Sequence, residues 1–281
     1  MTTDPKQRLY VSDLDGTLLD THGDFPKAWA ARLNRMIDRG LKFTIATARN
    51  YDSTHPILRD VELQLPVILF NGAYLTHFET GEILDQSNFI APQVVDALLE
   101  MTQQLGMDPF VYTYDERHYL YYRNAGNEGS QGYLKSLEGD GRLRYVEEYE
   151  FGEDERIAGF LLIDRPAALE PVYRSLKERF PEDLNLYFAK DIARPRFHWL
   201  QMFHHHADKG KMLRKLARHL DIPLSQIVVF GDYLNDLEMF EIAGKSIAVA
   251  NALPEVQEAA HQVIGSHAEG AVLDYLESLG F

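Results

Sequence analysis

The chain has 281 residues, of which 45% are hydrophobic and 25% are charged, and this composition excludes collagen-like, low-complexity and disordered chains. Its formal net charge of −15 disfavours nucleic-acid and membrane partners, because such a surface repels phosphate backbones and anionic lipid. The absence of cysteine excludes disulfides, zinc–thiolate sites and thiol nucleophiles, and it is compatible with the cytosol.

From its beginning, the chain follows the pattern of an α/β protein. Residues 1–8 are polar and show no secretory signal, so we expect a cytoplasmic protein. Helical patterns at 29–37 and 212–220 alternate with apolar runs, which predicts a doubly wound α/β fold with a parallel sheet. Ligands of such sheets bind beyond the carboxyl ends of the strands, where these runs end in polar residues. The runs are Leu9–Val11, Leu41–Ala46, Pro66–Phe70, Ile227–Phe230 and Ser246–Val249.

The middle of the chain has a different pattern. Residues 110–114 and 118–122, with a turn at Asp115-Glu116 between them, predict a β-hairpin. The segment 126–141 is glycine-rich and polar, and we expect it to be a mobile loop. These features predict an α+β domain over 84–203, inserted into a core formed by 1–83 and 204–281. Its other predicted elements are strands at 143–149, 156–164, 185–189 and 197–203 and helices at 92–105 and 166–180.

The segment Asp13-Leu14-Asp15-Gly16-Thr17 follows the first buried strand and is the strongest functional signal. Asp13 can attack a phosphoryl group and form an aspartyl phosphate, while Asp15 protonates the departing alkoxide. Gly16 allows the chain to turn sharply towards a ligand. Two carboxylates repel a phosphate dianion, so this chemistry requires a hard cation with oxygen ligands, most naturally Mg²⁺.

Three further segments supply the other groups that this chemistry requires. Asp232 follows a second buried strand and is the natural additional metal ligand, and Asp236, where the next helix begins, is a further candidate metal ligand. Lys209 opens a helix and can neutralise the phosphate. Thr47 follows another strand and can donate its hydroxyl to a phosphoryl oxygen, and Arg49, two residues later, is a further candidate for binding phosphate.

The order of these segments resembles the haloacid dehalogenase superfamily, and more narrowly its Cof-like sugar-phosphatase branch. The shared pattern is D-x-D-G-T-L, then T-x-R, then Lys-Gly, then G-D-x-x-N-D, with Asn71-Gly72-Ala73 and Ala250-Asn251-Ala252 as further similar segments. The resemblance implies a Rossmann-like core with a large α/β cap as the inserted domain.

The resemblance also implies roles for individual residues. Asp13 matches the nucleophile and a Mg²⁺ ligand, Asp15 matches the general acid/base and gives a backbone carbonyl to the metal, and Asp232 matches the remaining protein ligand. The positions that contact phosphate in this family are Leu14, Thr47, Ala48, Lys209 and Asn235.

We therefore expect a Mg²⁺-dependent phosphatase that acts on a small phosphate monoester such as a sugar phosphate, with no obligate protein partner indicated. Two alternatives stay open: a phosphomutase that uses the same phosphoenzyme, and a non-catalytic sensor of a phosphorylated ligand. The mutase would yield mainly an isomer, whereas the sensor would bind without hydrolysis.

The inserted domain has the size of a lid that excludes water and favours small substrates. Its polar and aromatic candidates for facing the site are Tyr112, His118, Arg123, Lys190, Arg194 and Arg196. The run His204-His205-His206 is not expected to bind a metal, because consecutive side chains of an extended segment point to opposite faces.

Overall fold

The computed structural model describes residues 4–115, 117–191 and 194–281, so Glu116 of the predicted hairpin turn lies outside the described residues. The strands are β1 (Leu9–Ser12), β2 (Lys42–Ile45), β3 (Val67–Leu69), β4 (Tyr74–Thr76), β5 (Ile83–Gln86), β6 (Phe110–Tyr114), β7 (His118–Tyr122), β8 (Leu143–Tyr145), β9 (Arg156–Asp164), β10 (Leu184–Lys190), β11 (His198–His204), β12 (Ile227–Gly231), β13 (Lys245–Ala248) and β14 (Gln262–Val263). The α-helices are α1 (Lys27–Asp38), α2 (Tyr51–Leu58), α3 (Pro92–Gln104), α4 (Glu128–Ser136), α5 (Pro166–Arg179), α6 (Lys209–His219), α7 (Leu237–Ile242), α8 (Pro254–Ala259) and α9 (Ala271–Ser278).

Internal contacts divide the chain into two compact units. The core unit contains the residues up to Ser87 together with Ala207–Phe281, and the inserted unit is Asn88–His206. Among the described residues, the helices are too short or too polar for a bilayer span.

The core unit is built on a parallel sheet with the strand order β14-β13-β12-β1-β2. Strand β1 pairs with β12 on one side and with β2 on the other, and all its residues are buried. Strands buried on both faces are near-continuously apolar, which is why their sequence could be recognised. The predicted α/β fold with a doubly wound parallel sheet is confirmed.

The apolar run 66–70 does not form the full strand of the parallel sheet that its sequence predicts. Its strand β3 joins the parallel sheet through a single bridge between Ala46 and Ile68, and it pairs along its length with the antiparallel strand β4. Strands β3, β4 and β5 form a separate three-stranded sheet. The physical reason is a tight turn over Phe70–Gly72, which sends the chain back alongside β3.

The inserted unit contains a six-stranded sheet with the order β10-β11-β9-β6-β7-β8, antiparallel except between β7 and β8. The predicted hairpin pairs β6 with β7, and the predicted helices correspond to α3 and α5. Strand β8 ends at Tyr145, four residues before the predicted end. Side chains of α3 and α5 pack with sheet residues in one hydrophobic core, which includes Leu98, Phe160, Leu162, Leu176 and Leu200.

The prediction of a mobile loop over 126–141 was wrong, because this segment contains helix α4. Asn127 caps the helix by accepting a hydrogen bond from the Ser130 N–H, and the Ser130 hydroxyl accepts one from the Asn127 N–H. Gly129 lies where a Cβ atom would be 2.7 Å from the ring of Phe197. Gly129 lowers the helix propensity of this segment, but it also allows Phe197 to pack closely against the helix. The tertiary contact outweighs the low propensity.

Candidate active site

The first strand delivers Asp13 into a buried position at its carboxyl end. The Asp13 N–H still donates to the Phe230 carbonyl of β12 at 3.0 Å, and the chain then turns at Gly16, whose φ is +77°. A Cβ atom on Gly16 would lie 2.3 Å from Asp232 Oδ2. Glycine therefore serves two purposes here, because it adopts the left-handed backbone and allows the Asp232 carboxylate to approach.

A fully buried lysine joins two aspartates of this site. Lys209, the first residue of α6, donates from Nζ to Asp13 Oδ1 at 2.6 Å and to Asp236 Oδ1 at 2.7 Å. Burial alone would lower the pKa of Lys209, but Asp13 and Asp236 raise it above its usual value. Burial also raises the pKa of Asp13, although Lys209 opposes this effect. The ammonium group is therefore a fixed positive charge beside Asp13.

Asp236 holds the loop that follows β12. Its Oδ2 accepts hydrogen bonds from the backbone N–H groups of Asp232 at 3.0 Å and Tyr233 at 3.1 Å, while its Oδ1 accepts from Lys209. Both carboxylate oxygens of Asp236 therefore have partners from the chain itself. These contacts favour a role in positioning the loop, and the metal-ligand role predicted for Asp236 stays a prediction.

The carboxylates form a group that fits a hard divalent cation. One carboxylate oxygen from each of Asp13, Asp232 and Asp236 lies within 4.8 Å of the others, and this is the one such group found among the described residues. Thr17 donates from Oγ1 to Asp232 Oδ1 at 2.9 Å. Burial, followed by the neighbouring Asp236, raises the pKa of Asp232 to about 7. Neighbouring carboxylates disfavour each other's ionisation, and a divalent cation relieves this repulsion. Their oxygens are the ligands that Mg²⁺ prefers.

The Asp15 carboxylate is paired with Arg49. The guanidinium donates from Nε to Asp15 Oδ2 and from Nη2 to Asp15 Oδ1, both at 2.7 Å, in a bidentate pair. Burial alone would lower the pKa of Arg49, but the bonds to Asp15 raise it. Arg49, predicted to bind phosphate, is thus engaged with the predicted acid/base, and the Asp15 side chain is not part of the three-aspartate cluster.

The remaining predicted phosphate contacts lie on the loops at this edge of the sheet. Thr47 is buried, and its Oγ1 accepts a hydrogen bond from the Arg49 N–H at 3.1 Å, so the hydroxyl proton can be donated elsewhere. Leu14 is buried in the turn after β1, and Ala48 is half-buried after Thr47. Asn235 is also half-buried, and it donates from Nδ2 to Asn71 Oδ1 at 2.8 Å.

Three residues with contacts at this site were not assigned roles from the sequence. Thr17 binds Asp232, Asn71 binds Asn235, and Asn251 donates from Nδ2 to the Gly16 carbonyl at 2.7 Å. All three lie in segments that carry the family resemblance. Their position in those segments was the available signal, but which loop each side chain contacts requires the fold.

The candidates in the inserted unit have partners within that unit. Tyr112 is buried, and its hydroxyl is 2.6 Å from that of Tyr133. Arg123 donates from Nε to Asp108 at 2.6 Å. The remaining candidates are Lys190 and Arg196, which are exposed, Arg194, whose guanidinium lies against Gly132, and His118, whose ring contacts Tyr114.

The three consecutive histidines come closer together than their sequence predicts. The ring centroids of His204, His205 and His206 lie 3.9 to 5.1 Å apart. Strand β11 ends at His204 and the chain turns after it, so the alternation expected of an extended segment does not apply. The expectation that the side chains diverge was wrong, although these residues do not form a metal-binding group among the described residues.

Comparison with known proteins gives concordant matches along almost the whole chain. The family described as haloacid dehalogenase-like hydrolase matches residues 10–276. The Bacillus subtilis protein YxeH is 28% identical over 97% of this chain and 98% of its own length. The Bacillus subtilis 5-amino-6-(5-phospho-D-ribitylamino)uracil phosphatase YitU is 24% identical over 97% of each chain. The crystal structure of TM0651 from Thermotoga maritima is 28% identical, with a TM-score of 0.74 and 98% coverage of both chains.

Proposed function

The chain belongs to the haloacid dehalogenase-like hydrolase family, and on this premise we propose that it is a Mg²⁺-dependent phosphatase of a small phosphate monoester, such as a sugar phosphate. The observation that carries the proposal is the buried Asp13 carboxylate, bonded through one oxygen to the fixed ammonium of Lys209. Its other oxygen is the nucleophile. A cation beside the nucleophile attracts the phosphate dianion that the carboxylates would otherwise repel.

The reaction has two displacement steps at phosphorus. Asp13 Oδ2 attacks, the new O–P bond forms and the P–O bond to the leaving group breaks, while Asp15 gives its proton to the departing alkoxide. Water then attacks the phosphorus of the aspartyl phosphate and passes a proton to Asp15. Inorganic phosphate leaves, and both carboxylates return to their starting states.

The metal site is formed by Asp13, Asp232 and the backbone carbonyl of Asp15. When bound, Mg²⁺ supplies positive charge that offsets the carboxylates and the phosphoryl oxygens. Thr17 orients the Asp232 carboxylate by its hydrogen bond, and Asp236 fixes the backbone that carries it. Thr47, Lys209 and Asn235 provide the hydroxyl, ammonium and amide donors to the phosphate oxygens.

Arg49 positions the acid/base. Its two hydrogen bonds fix both oxygens of Asp15, the group that accepts a proton from the attacking water. To protonate the leaving group, Asp15 must carry a proton, so one of these two bonds must be released as the ester binds. Arg49 thus links the orientation of Asp15 to occupancy of the site.

Phosphate release from a panel of sugar, nucleotide and cofactor phosphates, with and without Mg²⁺, tests the proposal. We expect Asp13→Asn to lower kcat by at least about 10³-fold, because the nucleophile is removed. Asp191→Asn, at a buried aspartate of the inserted unit, is the matched control and should retain activity. Turnover that survives Asp13→Asn would refute the mechanism, and an isomerised ester in place of inorganic phosphate would indicate a mutase.

A further inference from the structure

We propose that Asn71 is a positioning residue for phosphate binding, which acts by fixing the side-chain amide of Asn235. This inference rests on the proposed function, because it assumes that Asn235 contacts the phosphate. Asn71 is fully buried, and its Oδ1 accepts the hydrogen bond from Asn235 Nδ2 at 2.8 Å across 164 positions of sequence.

The backbone around Asn71 is strained. Phe70 has φ +55°, Asn71 has φ +51° and Gly72 has φ +83°, so three consecutive residues adopt left-handed values and two of them are not glycine. Such values cost free energy for residues with a Cβ atom, although asparagine tolerates them better than most. Strained residues persist only where surrounding contacts hold them, and they are concentrated at functional sites.

The surrounding contacts come from the loops of the candidate site. The Phe70 N–H donates to the Arg49 carbonyl at 2.9 Å, and the Asn71 N–H donates to the Thr47 carbonyl at 3.0 Å. A Cβ atom on Gly72 would lie 2.1 Å from the carbonyl oxygen of Asp208, directly before Lys209. The turn thus lies against both the Thr47 loop and the start of α6, and its side-chain bond reaches the third loop at Asn235.

The bond to Asn71 determines which way the Asn235 amide faces. Phosphate oxygens only accept hydrogen bonds, so Asn235 can bind them only through its NH₂ group. One N–H of that group is donated to Asn71 Oδ1, which leaves the second N–H of the same nitrogen for a phosphate oxygen. The flipped amide would place two carbonyl oxygens against each other. Asn71 therefore selects the orientation in which Asn235 can donate.

A purely structural role for Asn71 predicts something different. If the residue only had to adopt the left-handed turn, glycine would replace it without loss, because glycine adopts this backbone more readily. If it acts through Asn235, removal of its side chain should matter only while the Asn235 amide is present. A double-mutant cycle separates these two roles.

The cycle measures KM for p-nitrophenyl phosphate and inhibition by inorganic phosphate in the Mg²⁺-loaded protein. We expect Asn71→Gly and Asn235→Ala each to raise both constants about tenfold, because Asn235→Ala removes the hydrogen bond to the charged phosphate and Asn71→Gly leaves the Asn235 amide unoriented for it. In the Asn235→Ala background, Asn71→Gly should add less than about twofold. Effects that multiply, or a wild-type-like Asn71→Gly, would overturn the proposal.

Two further variants complete the test. Asp221→Gly replaces another residue with positive φ, exposed on the core unit, and should leave both constants unchanged. Asn71→Asp keeps an acceptor oxygen and tolerates the turn. In that background, Asn235→Ala should still raise both constants about tenfold, as expected for the loss of one hydrogen bond to a charged group. A purely structural role predicts the same cost in that background, so if Asn71→Gly does not fold, Asn71→Ala replaces it in the first cycle, and a full tenfold cost of Asn235→Ala there would overturn the proposal. Failure of the proposed function would instead appear as wild-type protein that hydrolyses no ester.

Discussion

The two units of the chain bury different kinds of side chain. At the strand ends of the core unit, Lys209 and Asp236 have no exposed side-chain surface, and Asp13 is only 8% exposed. In the inserted unit, the ion pair between Arg123 and Asp108 leaves 33% and 16% of these side chains exposed. Its interior is instead built from aliphatic and aromatic residues. Burial of charged side chains is energetically unfavourable, so these residues lower the stability of the core unit at the place where the proposed chemistry occurs.

Sheet topology explains this difference. All strands of a parallel sheet end on the same edge, so the polar residues after β1, β2 and β12 meet there. In the antiparallel sheet of the inserted unit, successive strands end on opposite edges, and no single edge collects them. The contrast predicts that substitutions of charged groups will have larger effects in the core unit, and the experiments below test it in order of expected effect.

Replacement of the buried lysine should have the largest effect on stability. Lys209→Met leaves Asp13 and Asp236 buried without their cation, and we expect the free energy of unfolding to fall by about 3–5 kcal/mol. Denaturant unfolding measures this change. Arg123→Met in the inserted unit is the matched control, with an expected loss below about 1 kcal/mol because its ion pair is partly exposed. Equal losses in the two variants would contradict the contrast between the units.

Addition of Mg²⁺ should stabilise the core unit selectively. At about 100 times its Kd, a bound ion raises the free energy of unfolding by about 2.7 kcal/mol. Hydrogen exchange should show the added protection at the ends of β1 and β12 and in the loop after β12. Asp232→Asn should abolish it, since a cluster carboxylate is lost. Protection centred in the inserted unit would place the metal elsewhere.

Glu238 should make stability depend on pH. Burial raises the pKa of Glu238 to about 7, and its Oε2 is buried without a hydrogen-bond partner. Its folded pKa exceeds the unfolded value of about 4.5, so the folded state binds the extra proton and stability falls as pH rises from about 5 to 8. Relative to Glu238→Gln, we expect the wild type to lose about 2 kcal/mol over this range in denaturant unfolding. A difference independent of pH would contradict the raised pKa.

Close packing around α4 should give the smallest effect. Gly129→Ala places a methyl group 2.7 Å from Phe197 and 2.8 Å from Ile163. Overpacking outweighs the gain in helix propensity, and we expect a loss of about 1 kcal/mol in thermal unfolding, with the active site unaffected. Gly126→Ala, at an open position, should show no loss. A stabilised Gly129→Ala protein would show that Phe197 and Ile163 can shift to accommodate the methyl group without loss of stability.

Much of the fold and of the site could be predicted from the sequence, because the signals are local. Buried parallel strands are apolar runs, so β1, β2, β12 and β13 were found close to their observed bounds. The spacing of Asp13 and Asp15 and the position of Lys209 at a helix start are also readable in sequence. Asp13, Lys209 and Asp236 come together because parallel strands end at the same edge of the sheet. This edge is where the sequence predicts a ligand to bind.

The features that could not be predicted depend on contacts between distant segments. Helix α4 is stabilised where Gly129 meets Phe197, 68 positions away, so its glycine content was misleading. Arg49 pairs with Asp15, and Asn71 with Asn235, because the segments that follow β1, β2, β3 and β12 meet at this site. The turn at Phe70–Gly72 sends the chain back along β3, and Phe70 is a bulky residue that gives no indication of a left-handed backbone.

The position of β1 between β2 and β12 also has a consequence for how the chain folds during synthesis. Leu9 lies beside Ile227 in the sheet, so β1 gains its second neighbour only after most of the polypeptide has left the ribosome. The contiguous inserted unit can form earlier, since domains fold as they emerge from the amino terminus. Until residue 236 is translated, the carboxylate pocket is incomplete, and bringing β12 beside β1 should be the slowest stage of assembly.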